Sequence, residues 1–462
     1  MKFKANRRNF LKAGLGGTAA AAAVGAPYFF VPNRARANFQ YGDKDNHLII
    51  LNLDGGARTV PMFNAGMSGR YNPYGEHASA AAWSVGGVFA NAAIPFDVAS
   101  GLTGQLPSIT DIASDICVSV TMDHTPDSAS GEGSHTVARN WIASGYDAGG
   151  PGIMSQIMRL HTYYGSEVAE FGSFPPVVIG GGDATTPFAR PAGDSEPLKT
   201  TSFSEFASQS GDGAEGEQQP DWARAFEAGL DNHMRNTHSA SDRTTMSRLA
   251  LGKDAVEHFR NVFTDPALKV AAEPTAEKHG YTNAQLAAIF GTSTFGRNAA
   301  LASRFLFEGS TAMVIGDNGW DTHSNEMNAF TTSAQTLERV LCGFNYLLKN
   351  QPHPAGGTYW DRTIICTISE FGRDNLMGSG YNSGGGSDHT GTPAMRNQAW
   401  FMMGGAAAGG TQLGATNPDD VSVVPGASVY STQNYLATWL AWLDIDFAEV
   451  FPGAAPIEDF FA

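Results

Sequence analysis

TIICTISEFGRDNLMGSGYNSGGGSDHTGTPAMRNQAWFMMGG, residues 363–405, decides how this chain reads. It opens with a short apolar run at 363–368, rich in β-branched residues, which predicts a buried strand. The run stops at Ser369-Glu370-Phe371-Gly372-Arg373. A Gly-rich loop follows, carrying Asp388-His389, and 398–403 predicts a second strand. Acidic, basic and imidazole groups therefore stand at the carboxyl end of a strand, where open α/β sheets place their ligands.

Upstream, 46–53 predicts a strand ending in Asp54-Gly55-Gly56, and 115–120 predicts another. Residues 134–144 carry Val137, Trp141 and Ile142 at helical spacing and stop at Gly145. Helix is expected again at 152–164 and strand at 176–180. Strand, helix, strand is the order of a parallel α/β sheet. From 181 to about 220 the chain is polar and loses periodicity. Helical patterns follow at 221–236, 241–263, 283–290 and 297–308, so 181–300 reads as a mostly helical insertion or cap outside the sheet. Strand returns at 311–315. A long amphipathic helix over 325–348 carries Met327, Phe330, Leu337, Leu341, Phe344 and Leu348 on its apolar stripe. A final helix covers about 433–443, and there is no internal repeat. The strands at 46, 115, 176, 311 and 363 are expected in one sheet.

The chain has 462 residues, 42% hydrophobic, enough for a sizeable core. Charged residues are 16%, the net charge is −16, and no basic run follows residue 36, which excludes a nucleic-acid partner. Residues 1–37 read as an export signal: Arg7-Arg8-Asn9-Phe10-Leu11-Lys12 is a twin-arginine pattern, followed by a Gly/Ala-rich stretch and Ala35-Arg36-Ala37. The apolar stretch 13–31 is just long enough to span a bilayer. It is built of Gly and Ala rather than Leu and Ile, so cleavage is the expectation, with the twin-arginine export machinery as a partner. Loss of its seven positive charges takes the net charge from −16 to −23 and leaves one domain over 38–462. No later stretch is long and apolar enough to span a membrane, so the processed protein is expected in the periplasm or secreted. Cys117, Cys342 and Cys366 lack metal spacing and read as buried free thiols.

Four strand ends carry polar groups. Asp54 follows the first strand, and Ser134-His135 opens a helix behind a Gly-rich turn. Asp317-Asn318-Gly319-Trp320-Asp321-Thr322-His323 follows the strand at 311. Glu370 and Arg373 follow the strand at 363, with Asp388 and His389 in its loop. Carboxylates and imidazoles are oxygen and nitrogen ligands for Zn²⁺ or Mn²⁺. A serine at a helix start sits among free N–H groups that hold phosphate or sulfate oxygens. Together they point to metal-assisted attack on an ester of an oxyanion, with Ser134 attacking and Arg373 or Arg139 steadying the oxyanion. Each group also has a plainer role. Ser134 can simply cap its helix, His323 can orient the helix that follows, and Glu370 can pair with Arg373. Asp317 and Asp321 compete for one ligand position, and turn chemistry explains the other.

These residues carry a resemblance. Leu51-Asn52-Leu53-Asp54-Gly55-Gly56, Ser134-His135 with Trp141 and Gly145, Gly319-Trp320-Asp321-Thr322-His323, Ser369-Glu370-Phe371-Gly372-Arg373 and Asp388-His389 resemble an exported bacterial family known as domain of unknown function 1501. That family is related to the alkaline phosphatase and sulfatase superfamily. The resemblance implies an alkaline-phosphatase-like α/β fold, with a central, mostly parallel sheet between helices and up to two metals at the strand ends. Asp54 matches the first metal-binding acid, and Ser134 the position of the nucleophile. Asp317 or Asp321, with His323 and His389, resembles the second metal cluster. Glu370 matches the acid of an acid–histidine pair whose histidine is here Phe371, so one ion is expected rather than two. Two functions follow as expectations: a metal-dependent hydrolase of small-molecule or glycan phosphate or sulfate esters, or a non-catalytic envelope binding or assembly protein on the same fold.

Overall fold

The computed structural model describes residues 42–124, 134–146, 148–161, 175–180, 184–193, 195, 197–200, 281–373 and 397–462. Residues 1–41, which include the expected export signal, 201–280 and the loop bearing Asp388 and His389 lie outside the described residues.

The central strand β1 is His47–Asp54, buried along its whole length, as expected of a strand covered on both faces. The other strands of its sheet are β2 (Ile116–Asp123), β3 (Val177–Ile179), β4 (Leu198–Thr200), β5 (Ala312–Asn318), β6 (Thr363–Ser369), β7 (Asn397–Met403), β8 (Gln412–Leu413) and β9 (Tyr430–Ser431). The order is β8-β2-β7-β6-β1-β5-β3-β4, with β9 also on β2. Every pairing is parallel except those of β7, which runs antiparallel to both β6 and β2. The strands at 46, 115, 176, 311 and 363 therefore share one sheet.

Helices cover both faces. They are α1 (His135–Ser144), α2 (Ile153–Leu160), α3 (Asn283–Phe290), α4 (Thr294–Phe307), α5 (Glu326–Asn350) and α6 (Thr432–Trp442). Ile49, Leu51 and Leu53 of β1 join one core with Phe290, Phe305, Leu337 and Phe344. On the other face the Trp400 ring lies 5.2 Å from that of Tyr435, on α6. Successive strand residues point to opposite faces, and this alternation builds the two cores. Met327 is only half-buried, and the rest of the α5 stripe is buried.

The segment 181–300 differs from the expected excursion. β4 lies within it yet pairs with β3 at the sheet edge, and Leu286, Ile289, Phe290 and Phe295 belong to the main core. A three-residue strand is too short to show alternation, so its local sequence reads as loop. Among the described residues no helix is long and apolar enough to cross a membrane. Cys117, Cys342 and Cys366 are buried free thiols.

Candidate active site

Parallel pairing aligns three strand ends. Leu53 stands opposite Ser369 on one side and Asp317 on the other, and Asp54 stands opposite Asn318. The chain leaves β1 through Gly55 and Gly56, with φ of 109° and 79°, a region that favours glycine. A Cβ at Gly55 would fall 2.9 Å from Asp321 Cα, and one at Gly56 would fall 2.5 Å from Phe371 Cδ2. Only a glycine turn lets β1 reach this pocket. Ser369 clamps the turn, its Oγ donating to Leu53 O and accepting from Ala57 N, both at 2.7 Å. The Arg373 guanidinium donates to Gly56 O at 2.7 Å and Gly55 O at 2.6 Å, and it also pairs with Asp321.

Helix α1 supplies the opposite wall. His135 and Arg139 are four residues apart and so share one helix face. The Arg139 Nε–H is shared between Asp54 Oδ1 at 3.0 Å and Glu370 Oε1 at 2.9 Å, and Nη2 donates to Asp54 Oδ2 at 3.2 Å. Glu370 Oε1 also accepts from Gly55 N at 3.0 Å. Glu370 Oε2 takes His135 Nδ1–H at 2.5 Å. Asp54 and Glu370 are buried, so their hydrogen bonds replace lost water. Burial, and then the Glu370 carboxylate beside it, push Asp54 up to about 8 against the pull of Arg139. Burial lowers His135, opposed by Asp321.

The outer rim is open. Asp321 and His323 are 43% and 48% exposed, and His323 Nε2 lies 3.0 Å from Asp321 Oδ1. His135 Nε2 is 3.5 Å from Asp321 Oδ2. With its Nδ1–H committed to Glu370, neutral His135 presents a lone pair at Nε2. Two ligands each ~2.1 Å from one ion lie about 3.0–3.4 Å apart, so this rim has the donor chemistry and spacing for a divalent ion. The inner acids do not: Asp54 and Glu370 fork around a guanidinium. Among the described residues, no three His, Cys, Asp or Glu side chains close around a point as a finished cage does.

Asp54, Arg139, Asp321, His323, Glu370 and Arg373 thus form one network. Asp317 stands apart from it, accepting the Trp320 Nε1–H at 2.9 Å, and burial pushes its carboxyl up to about 7. Ser134 occupies the N-cap position of α1, but its side chain makes no capping hydrogen bond. Asp388 and His389 lie outside the described residues. Sequence reasoning quoted His135 beside Ser134 without giving it a role, and left His124 out of the site. The i, i+4 spacing of His135 to Arg139 was the signal that could have assigned one. His124, whose Nε2 accepts from Gly372 N at 3.0 Å, gave no sequence signal. Phe371 is buried against Gly56, its ring 5.1 Å from that of His135.

No curated protein matches the chain in sequence. Two solved structures align with most of it. The lipoteichoic acid synthase LtaP from Listeria monocytogenes gives a TM-score of 0.33 at 10% identity, covering 88% of this chain and 76% of that one. A protein in the alkaline phosphatase superfamily from Vibrio parahaemolyticus gives 0.31 at 10% identity, covering 88% and 68%. At such scores the likeness carries no argument about chemistry. The sequence profile of the family described as protein of unknown function (DUF1501) matches residues 45–456, and the chain belongs to that family.

Proposed function

We propose that this chain is an exported hydrolase of phosphate or sulfate esters that works with one divalent ion, Zn²⁺ or Mn²⁺. The observation that carries this reading is the meeting of Asp54, His135, Arg139, Asp321, His323 and Glu370, from four separate segments, at the carboxyl ends of β1, β5 and β6. Asp321, His323 and His135 would hold the ion, with Asp388 and His389 completing its ligands. The ion would supply Lewis-acid polarisation of an ester oxygen.

This chain's own residues do the rest. The Ser134 hydroxyl, not engaged in capping, is the attacking group. Arg139 Nη1 has no partner among the described residues and steadies an anionic oxygen of a small-molecule or glycan ester. Glu370 holds the His135 Nδ1 proton and so fixes the tautomer that leaves Nε2 as an acceptor. Arg373 anchors Asp321 against the glycine turn. Export follows the twin-arginine signal in residues 1–37, and the mature protein acts outside the cytoplasm.

A second reading has its own support. Phe371 is buried where an acid–histidine pair would place a ligand, and Arg139 already occupies the inner acids. Both fit a non-catalytic envelope protein that binds an anion on this fold. The deciding experiment is metal analysis of protein purified from the periplasm, combined with turnover of nitrophenyl phosphate and sulfate esters with and without chelator. Bound metal and chelator-sensitive turnover, lost in Ser134→Ala, are expected. Folded protein with neither would leave the binding reading.

A further inference from the structure

Asp54 and Glu370 stand on the ends of neighbouring strands and are 8% and 0% exposed. Two carboxylates held this close out of water repel, and a cation between them is the usual remedy. We infer that the Arg139 guanidinium is the resident cation of this acid pair, standing where the two acids would otherwise hold a divalent ion. The inference goes beyond the reading above, which places its ion on Asp321, His323 and His135, and rests on the Arg139 contacts alone.

The fit is specific to arginine. Nε–H bridges the two acids at 3.0 and 2.9 Å, while Nη2 adds a second bond to Asp54, so two donors of one planar fork serve three oxygens. A lysine ammonium, a single point donor, cannot present that fork. The remaining Glu370 oxygen is taken by His135 and its shared oxygen by Gly55 N. A metal ion would find no convergent lone pairs without displacing Arg139. Helix geometry commits the residue: Arg139 follows His135 by one turn, and Ala138, Trp141 and Ile142 bury the other face of α1. The consequence is electrostatic. A divalent ion would bring two positive charges to this pair, and the guanidinium brings one. The cation is also part of the chain, so chelators cannot remove it, and it needs no metal supply.

The test compares wild type, Arg139→Ala, Arg139→Lys and Asp54→Asn/Arg139→Ala. Each is stripped with chelator, loaded with Zn²⁺ or Mn²⁺, desalted and counted for bound metal by plasma mass spectrometry. Melting temperatures are read with and without ion. Arg139→Ala should carry one more ion per chain than wild type, and its Tm should rise further on adding ion. Arg139→Lys and the double variant should not gain that ion. A folded Arg139→Ala with no extra metal overturns the inference. If Arg139→Ala does not fold, the neutral triple variant Asp54→Asn/Glu370→Gln/Arg139→Met decides: a regained fold supports charge compensation, and a lost one overturns it. The hydrolase reading is judged separately, on wild type's own ion count and turnover. A wild type with no ion and no turnover, beside an Arg139→Ala that gains one, removes that reading and leaves this one.

Discussion

Arg58 and Glu326 meet out of solvent, with Nε donating to Oε1 at 2.9 Å and side chains 1% and 0% exposed. Arg58 lies four residues beyond Asp54, and Glu326 is the first residue of α5, so the pair ties the exit of β1 to the helix that follows Asp321 and His323. Removing one partner leaves an uncompensated buried charge. Glu326→Gln is therefore expected to lower unfolding free energy by about 3–5 kcal/mol, and Arg58→Met with Glu326→Leu to cost much less. Urea denaturation of the three proteins checks this. A single variant within ~1 kcal/mol of wild type would contradict it.

The glycine turn makes a second prediction. Gly55→Ala must place a methyl against the Asp321 backbone at a φ of 109°. The expected loss is about 1–3 kcal/mol from the backbone conformation alone, and more from the clash. Thermal melting reads it, and Gly69→Ala, where a Cβ meets nothing within 4 Å, is the control.

At the opposite edge of the sheet, three histidines should make the fold sensitive to acid. Ala355 N–H donates to His353 Nδ1 at 3.0 Å, so His353 carries its proton on Nε2 and donates it to His47 Nε2 at 3.0 Å. His47 Nδ1–H then donates to Ser310 O at 2.8 Å. This chain of bonds needs both rings neutral. Burial, reinforced by His353, lowers His47 to about 3. Burial likewise lowers His353 to about 4, with Arg362 adding to it, and His161 to about 4. Below pH 6.5 the unfolded chain takes up protons at these rings, and the folded chain does not until about pH 4. Stability is thus complete above pH 6.5 and falls with acidification, by about 2 kcal/mol at pH 5 from His47 alone. Urea midpoints at pH 7.5 and 5 test this, and a His47→Asn variant should lose part of the difference.

His323 should separate ion binding from folding. Its side chain is 48% exposed, so His323→Ala should change stability by no more than ~0.5 kcal/mol. Saturating Zn²⁺ or Mn²⁺ at ~100 times its dissociation constant should stabilise wild type by about 2.7 kcal/mol and the variant by much less. Equal stabilisation of both by the ion would take His323 out of the ion site.

Much of the candidate site was legible because the strands announce their ends. NHLIILNLD and TIICTISE are apolar runs cut off by an acid, and in a parallel sheet such acids face one edge. Asp54, Glu370, Asp321 and His323 could be named on that ground. The partners of these acids were harder. Arg139 reads from sequence as one of two candidates to steady an oxyanion, and nothing local says that it reaches two strand ends 85 and 231 positions away. Arg373 read as an oxyanion holder, yet its buried guanidinium holds the Gly55 and Gly56 carbonyls. His47 and His353, 306 residues apart, gave no signal at all.

The sequence by itself determined the long strands β1, β2, β5, β6 and β7 and the short β3, the helices α1 to α6, the glycine turn after Asp54 and the polar residues at the carboxyl edge. Those follow from periodicity and from backbone preference, both of which act over a few residues. Tertiary structure alone decided the antiparallel insertion of β7 between β6 and β2, and the capture of Asp54 and Glu370 by Arg139. It also decided the division of the pocket into an inner acid pair held by Arg139 and an outer Asp321–His323 rim that faces solvent. Electrostatic pairing depends on distance in space and on burial, and neither is written in the spacing of residues along the chain.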